Sequence, residues 1–373
     1  MKSNGLFVIS KKEFRDHIKS KKFLIIFSII MIATITGMVG GAVDYNKQIQ
    51  DYAEHMAVSE DTSMFSSYWW TKPSVMTIFN SVGAIVASLG AILGIAMGFD
   101  LITREKESKS LKILLSHPIY RDEVINGKAV GGTLALIIAL FITFVISMAL
   151  LLIFSIVPDI TEVQYILLFG ISAFLMIFSY FAISLFMSTV ADNSGNALIY
   201  TLIIFIVLTG LFPMLISGSV MNVLAGDAPE PPDTLIMRSY NSGYGSSSVT
   251  VTTGEVSDES DSYNPYDTEE WRNYEEEIMA YWQKRQTISD LFNLLSPTNN
   301  FEYISSYITY PQMYKNMYTS SSMMGVEEGA DEPEKTSIFD VLGDLMKNII
   351  ALIAFPAVFL GLAYVKFMRM DIR

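Results

Sequence analysis

Long apolar runs alternate with short polar segments along this chain, and six of the runs are long enough to cross a lipid bilayer as helices. A transmembrane helix needs about 20 consecutive, mostly apolar residues. The six runs cover residues 23–43, 75–99, 129–157, 164–187, 195–220 and 346–366. Helices satisfy their own backbone hydrogen bonds, as hydrocarbon requires. The pattern predicts an all-α membrane protein with six transmembrane helices.

The distribution of charge agrees with that prediction and excludes one class of transporter. Charged residues make up 17% of the chain, below the roughly one quarter of an average soluble domain. The apolar runs contain almost no Asp, Glu, Arg or His, and Asp100 and Lys347 lie at their ends. Ion-coupled pumps use ionisable groups inside the membrane. We therefore do not expect a proton or sodium relay.

Lys and Arg concentrate in the short segments that we assign to the cytoplasm. Residues 1–22 and 100–128 hold 13 of the 25 basic residues, and the tail adds Lys366, Arg369 and Arg373. By the positive-inside rule, we predict that both termini face the cytoplasm. We expect the chain to lie in the plasma membrane. In chain order we predict a basic interfacial helix at 1–22, five spans within 23–220, an outer segment at 221–345, the sixth span at 346–366 and a cytoplasmic tail at 367–373.

Two local patterns predict how the spans begin and pack. In residues 8–23, Phe14 and Ile18 recur at helical spacing among lysines, which is typical of a helix lying on an anionic membrane surface. The second span carries a stripe of small residues, which comprises Gly83, Ala87, Gly90, Gly94 and Gly98. Such a stripe allows close helix packing, either within the chain, which we favour, or against a second copy. Prolines 213 and 356 predict kinks in the fifth and sixth spans.

The outer segment is strongly acidic and has its own organisation. It holds 22 of the 38 acidic residues. Residues 228–267 are rich in Pro, Gly, Ser and acid, with a possible hairpin strand at 248–256. From Asp267 and Glu270 onward, Trp, Tyr and aliphatic residues recur at helical spacing to residue 295, before Ser296-Pro297. This amphipathic helix is suited either to the outer membrane interface or to the core of a small outer domain.

Residues that carry catalytic or metal chemistry are scarce in this sequence. There is no cysteine, and His17, His55 and His117 are isolated from one another. Gly127-Lys128 lacks the other residues of a phosphate-binding loop, so we expect no ATP hydrolysis by this chain and no bound cofactor or metal. Methionines 313, 317, 323 and 324 could suit Cu(I), but a packing role is favoured for them. We predict a non-catalytic membrane subunit without nucleic-acid partners.

Between the second and third apolar runs lies a segment crowded with both signs of charge. Residues 104–116 fit a short amphipathic helix with Leu111, Leu114 and Leu115 on one side and a Glu105–Lys109 pair on another. Pro118 ends it, and Asp122 and Glu123 favour the first turn of the next helix. A solvated basic turn would explain the position of the segment. A docking element for a partner protein explains the leucines and the balanced charges better.

This segment resembles the cytoplasmic signature of type-2 ABC transporter permeases. The shared pattern is Glu105-x-Glu107, Ser110-Leu111, Leu114-Leu115-Ser116, Pro118, Arg121, Glu123-Val124 and Gly127-Lys128. The basic amino-terminal helix, the six spans and residues 294–305 extend the resemblance over most of the chain outside 228–267. The long acidic outer segment departs from compact members of that family, and it could gate an exit or bind an extracytoplasmic protein.

The resemblance implies an exporter-like permease driven by a separate ATPase. The segment at 104–116 would be a coupling helix seated in a groove of that ATPase, which binds the ATP and Mg²⁺. Two ATPase copies and a second permease copy, identical or different, are implied as partners. The implied contact residues are Arg104, Glu105, Glu107, Leu111, Leu114, Leu115, Pro118 and Arg121, and we expect both glutamates to be exposed until docking. An ATPase-driven mechanical or signalling protein without a transport pathway is the alternative, and neither substrate nor direction follows from the sequence.

Overall fold

The computed structural model describes residues 4–58, 73–111, 120–216, 218–232, 237–238, 250–251, 269–311 and 338–370. The helices are, in chain order, α1 (Asn4–Lys19), α2 (Lys21–Val58), α3 (Met76–Ile85), α4 (Ala91–Gly98), α5 (Thr103–Glu107), α6 (Arg121–Ile153), α7 (Ile160–Val190), α8 (Ser194–Ile206), α9 (Phe212–Ile216), α10 (Ser219–Ala225), α11 (Glu269–Leu294), α12 (Pro297–Thr309) and α13 (Ile338–Met368). Two short strands, β1 (Met237–Arg238) and β2 (Thr250–Val251), pair antiparallel. β2 lies within the predicted hairpin strand.

Six helical stretches are long and apolar enough to cross a membrane, which confirms the predicted number of spans. They are Lys21–Glu54, Met76–Glu107, Arg121–Ile153, Ile160–Val190, Ser194–Leu215 and Ile338–Met368. The first helix continues well past its predicted end at residue 43, and the last begins before its predicted start at 346. Hydropathy locates only the apolar part of a helix, so polar turns at either end are missed.

The chain divides into two compact units, and the first contains residues 1–209 and 294–373. Its centre is α7, which packs against α13, α4, α12 and α8. In the most apolar stretch of the span formed by α7, 67% of the residues are buried inside the chain. The corresponding share for the fifth span is 6%. Tyr180, Phe181, Ile183 and Leu185 of α7 are fully buried. Most residues of the fifth span are therefore at least partly exposed, and they face lipid or another protein.

Glycines allow the second span to approach α7 at backbone distance. A Cβ placed on Gly94 would overlap the carbonyl oxygen of Ile177, and one on Gly98 would lie 2.7 Å from that of Phe181. Gly83 similarly faces Ser305 and Phe169. The preferred interpretation of the small-residue stripe, packing within the chain, is confirmed for these glycines. A five-residue π-helical turn, Val86–Gly90, separates α3 from α4.

A buried helix that the sequence does not announce, α12, lies between the spans. Ser296 accepts a hydrogen bond from the Asn299 amide and Pro297 occupies the first turn, which together start the helix. The hydroxyl of Thr298 lies 2.7 Å from that of Tyr180, and Asn348 Nδ2 donates to Asn300 Oδ1 at 2.9 Å. Paired side chains thus offset the cost of burying these polar groups. The predicted outer segment, 221–345, therefore contributes a helix to the first unit.

The second unit covers Gly210–Asn293. The predicted fifth span, 195–220, is interrupted in the structure: a π-helical turn at Val207–Leu211 precedes α9, and Gly218 adopts φ 111° before α10. The amphipathic helix predicted up to residue 295 is confirmed as α11. Its Tyr281 packs with Met221 and Ala225, and Lys284 Nζ donates to the Ala225 carbonyl at 2.9 Å. This helix therefore packs against α10 within the second unit.

Candidate functional site

The segment after the second span is built from two helical pieces. α4 ends at Gly98, and the single-turn helix α5 spans Thr103–Glu107. Lys109 has φ 56°, a left-handed conformation that ends a helix, and helical residues resume at Ser110. The predicted continuous helix over 104–116 is therefore wrong at Ser108–Lys109. Leu114, Leu115 and Pro118 lie outside the described residues.

The amino-terminal side of α5 is fastened to the end of α7. Ser188 Oγ accepts hydrogen bonds from the backbone amides of Ile102 at 2.9 Å and Thr103 at 3.1 Å. Lys106 Nζ donates to the carbonyls of Thr189 at 2.9 Å and Ala191 at 2.8 Å. Those carbonyls belong to the carboxyl end of α7, where a cation also complements the helix dipole. α5 thereby caps the fourth span.

Glu107 makes the complementary contact with the next helix. Its carboxylate accepts hydrogen bonds from the Ser194 amide at 2.6 Å and the Ser194 hydroxyl at 3.1 Å. Ser194 is the first residue of α8, where free amides and the helix dipole favour an anion. Glu107 is exposed, as predicted. One turn of helix therefore holds the facing ends of the fourth and fifth spans.

Glu105 belongs to a partly buried ionic triad. Lys128 Nζ lies 2.7 Å from Glu105 Oε1 and 2.9 Å from Glu13 Oε1, and the Lys128 side chain is only 2% exposed. The side chain of Glu105 is 16% exposed. The expectations that Glu105 is exposed and pairs with Lys109 are therefore wrong. Because Lys109 itself adopts a left-handed conformation, its side chain leaves the helical register that would place it beside Glu105. Lys128 lies nearer to the Glu105 carboxylate.

The triad joins three elements: α1 through Glu13, α5 through Glu105 and α6 through Lys128. α1 reaches α6 closely because glycines lie at the contact, where a Cβ on Gly127 would meet Ile9 at 2.8 Å. Sequence reasoning missed Lys128 and Glu13. A lysine seven residues after the start of α6, which forms the third span, was a usable signal, because a charge there needs a partner.

Glu13 and His17, one turn apart on α1, have shifted proton affinities. Burial raises the pKa of Glu13, but the Lys128 ammonium more than offsets this effect, so the pKa lies below its ordinary value. Burial lowers the pKa of His17, outweighing the opposite effect of Glu13 and Asp100. We expect Glu13 to be ionised and His17 to be neutral at pH 7.

The remaining predicted contact residues differ in their surroundings. Arg104 is exposed, whereas Leu111 is 2% exposed and so lies inside this chain. Arg121 Nη1 donates to the Met370 carbonyl at 2.9 Å, beyond the carboxyl end of α13. The amino-terminal helix, α5 and the end of the sixth span therefore lie at one end of the first unit.

Comparison with known families agrees with this arrangement. Residues 7–372 match the sequence profile described as ABC-2 family transporter protein. The chain belongs to the ABC-2 family. Membership makes this ABC-2 protein a multi-pass membrane component of transport, and it implies association with an ABC ATPase subunit. A search of curated proteins returned no match. The described residues contain no group of three or more His, Asp or Glu side chains arranged to hold a metal ion.

Proposed function

We propose that this ABC-2 protein is the permease subunit of an exporter-type complex, in which a separate ATPase moves the spans by pressing on α5. The observation that carries the proposal is the set of contacts made by this one helical turn. Its residues hold α7 through Lys106, α8 through Glu107 and α6 through Glu105. A force on α5 therefore reaches three spans through direct polar contacts.

The contacts also suit rigid transmission. Each is a charged group bound to a helix end or to a buried counter-ion, at 2.6–2.9 Å. Charge-assisted bonds of this kind are shorter and stronger than neutral ones. When α5 shifts, the helix ends must follow or lose those bonds. Glu105 is in this proposal an internal link, and Leu111 supports the segment from inside.

The surface offered to the ATPase then consists of exposed groups on the same segment. Arg104 and Glu107 are exposed, and the sequence adds Leu114, Leu115 and Pro118 of the resembling pattern. Arg121 holds the carboxyl end of α13 and would sense docking indirectly. ATP and Mg²⁺ bind the partner, so this chain needs no nucleotide site. Two ATPase copies complete the complex.

A second permease copy is part of the proposal. Only 6% of the residues in the most apolar stretch of the fifth span are buried, and its Ile199, Ile203 and Ile206 are exposed. Lipid alone can cover such a surface, yet one copy offers only six spans around any pathway. A homodimer or a heterodimer would pair these surfaces.

An ATPase-driven mechanical or signalling role remains the second candidate, with the separate unit at Gly210–Asn293 as its output. A folded unit beyond the fifth span is what such a protein would move. The two functions differ at the interface between permease copies. A continuous polar cavity lined by side chains such as Asn80, Ser81, Thr133 and Thr143 would favour transport, and a dry interface would favour the alternative.

The docking assignment can be tested by reversing one exposed charge. The tagged chain would be purified with the ABC ATPase that accompanies it, and ATPase retention and activity would be compared between wild type and Arg104→Glu. We expect at least a tenfold loss of association without a change in the melting temperature of the isolated chain. Lys47→Glu, an exposed basic residue in the polar continuation of α2, is the matched control. Unchanged association and activity in Arg104→Glu would rule out docking at this surface.

A further inference from the structure

A polar cavity lies where α1 meets the first span. It has a volume of about 630 Å³ and lies between α1, the start of α2, the end of α4 and α5. Its basic lining residues are Lys12, Lys19, Lys21, Lys22, Arg104 and Lys128. The proposed function uses Arg104 on its outer surface and leaves the cavity itself without a role.

The charges in this cavity do not cancel. Four acids also line it, and three of them are already paired: Asp100 with Lys22 at 2.9 Å, and Glu13 and Glu105 with Lys128. Asp16 is the fourth. Lys19, Lys21 and Arg104 form no ion pair with any described residue. The cavity therefore presents an excess of unpaired positive charge, which fits an anionic ligand.

An apolar groove continues from the same place. Its volume is about 310 Å³, and its walls are Ile25 and Ile26 of α2, Ile92 and Ile95 of α4, and Leu198 and Leu202 of α8. Lys22 and Ala96 line both the groove and the polar cavity. Lys22 is fixed at this junction by Asp100 and by the ring of Phe99, 4.9 Å from its Nζ. A ligand filling both parts needs an anionic head joined directly to hydrocarbon.

We propose that an anionic phospholipid of the cytoplasmic leaflet occupies this composite site. Its phosphate would lie among Lys19, Lys21 and Arg104, and one acyl chain would lie along Ile92 and Ile95. The position suits a lipid because the junction of a basic interfacial helix with the first span lies at headgroup depth. An acyl chain packs its methylenes against the aliphatic walls only if it fits the groove. This requirement gives selectivity for a lipid beyond the attraction of its charge.

Two other occupants agree less well with these features. A free phosphate would use the basic residues and leave the groove empty. A second permease copy could cover the groove, but it would leave three basic side chains without counter-ions. A phospholipid satisfies both requirements with one molecule. Its bound headgroup would also hold α5 against α1 and α2 through Arg104, so lipid occupancy would stabilise the segment that we propose for docking.

The test uses the full chain, purified in detergent, delipidated and monitored by thermal unfolding and native mass spectrometry. The probes are dioctanoyl-phosphatidylglycerol, dioctanoyl-phosphatidylcholine and inorganic phosphate. We expect the anionic lipid to bind one per chain and to raise the melting temperature by several degrees. Phosphatidylcholine should bind at least fivefold more weakly, and phosphate should have no effect. Stabilisation by phosphate equal to that by the anionic lipid would overturn the proposal in favour of a free-anion site.

Matched variants separate this site from general attraction to an anionic membrane. Lys19→Gln with Lys21→Gln removes two charges from the cavity, and we expect at least a fivefold loss of affinity. Lys11→Gln with Arg15→Gln removes two exposed charges from α1 that do not line the cavity, and it should bind as wild type does. Equal losses in the two double variants would overturn the site.

The groove has its own pair of variants. Ile92→Trp should fill it and abolish retention of the lipid, whereas Ile137→Trp, at a similarly exposed isoleucine of α6, should not. If Ile92→Trp leaves lipid retention unchanged and instead converts dimers to monomers, a second copy covers the groove and the proposal fails. Because no ATPase is present in these measurements, their outcome is independent of the docking experiment.

Discussion

At the scale of single residues, Lys128 holds together the end of the first unit that contains α1 and α5. It is 2% exposed and binds two carboxylates from different elements. A buried ion pair contributes little net stability compared with an apolar replacement of the whole set, but losing one partner leaves uncompensated charge. Here the loss of the lysine would leave two carboxylates facing one another.

Replacing Lys128 by Met should therefore lower the free energy of unfolding by about 3 kcal/mol. Lys12→Met, at an exposed lysine on the same side of the molecule, should change it by less than about 0.5 kcal/mol. Thermal or detergent unfolding of the purified chain measures both. Adding Glu105→Gln to Lys128→Met should restore part of the loss, since one of the repelling charges is removed; a strictly additive double variant would contradict the triad.

His17 gives the molecule a dependence on pH. Its pKa in the folded chain lies below the ordinary value of 6.5, so the unfolded chain binds more protons once the pH falls below about 6.5. Stability is then lost as the pH decreases. Glu13, whose folded pKa is also lowered from 4.5, loses its contribution only at lower pH.

We therefore expect the melting temperature to fall between about pH 7.5 and about pH 5.5, and to fall less in His17→Gln, which cannot take up a proton. Melting curves of the two proteins in matched buffers provide the measurement. Parallel slopes would show that other groups carry the pH dependence.

At the scale of elements, the second span packs against α7 through glycines whose replacement would force the two helices apart. In Gly94→Ala the new methyl group would meet the backbone of α7 at Ile177, and in Gly98→Ala it would meet Phe181. Backbone atoms cannot rotate aside as side chains do, so the helices must separate and lose contact along their length.

Gly94→Ala and Gly98→Ala should each lower the free energy of unfolding by about 2 kcal/mol. Gly361→Ala, in the interior of α13 with no atom within 4 Å of the added methyl group, should be neutral or raise it by up to about 1 kcal/mol because alanine favours helix. Unfolding in a detergent series measures all three. A neutral Gly94→Ala would contradict the packing of α4 on α7.

Elements with a strong apolar period could be predicted from the sequence, and those decided by tertiary contacts could not. The six spans, α1 and α11 each carry a repeating pattern. No sequence pattern marks the break at Lys109, because the leucines of this segment continue the helical period across a residue that the fold holds in a left-handed conformation. α12 was missed for a related reason: polar residues such as Asn300 and Thr309 weaken its apolar pattern, yet both are buried and hydrogen-bonded inside the first unit.

The same distinction holds within the candidate site. The segment could be located from its residue types, and the exposure of Glu107 was predicted correctly. The partners of Glu105 and Lys106 could not, since they lie 23 and 83 or more residues away in sequence and are brought together only by the packed helices.

At the scale of the whole molecule, the amino-terminal helix, α5 and the carboxyl end of the sixth span lie at the same end of the first unit, as an even number of spans requires. The excess of Lys and Arg in residues 1–22 and 100–128 predicts that this end faces the cytoplasm. On that prediction, α11 faces the outside of the cell.

The absence of cysteine makes that orientation directly measurable. Single variants Lys11→Cys and Arg369→Cys should resist a membrane-impermeant maleimide in intact cells and react after permeabilisation. Glu276→Cys, at an exposed position of α11, should react in intact cells. The cysteine-free parent provides the background, and the reverse labelling pattern would invert the topology and remove α5 from reach of a cytoplasmic ATPase.

The wide turn at Val86–Gly90 has a further consequence for how this span is phased. In an uninterrupted α-helix, Gly83 and Gly94 would point within about 20° of each other, because eleven residues complete about three turns. The π-helical turn rotates one half against the other, and Gly83 meets Ser305 of α12 and Phe169 of α7, while Gly94 meets Ile177 of α7. Shortening the chain by one residue at this turn would rotate the half that contains Gly83, relative to the other half, by roughly a quarter of a revolution. Gly83 would then point away from Ser305, and the close contact between this span and α12 would be lost.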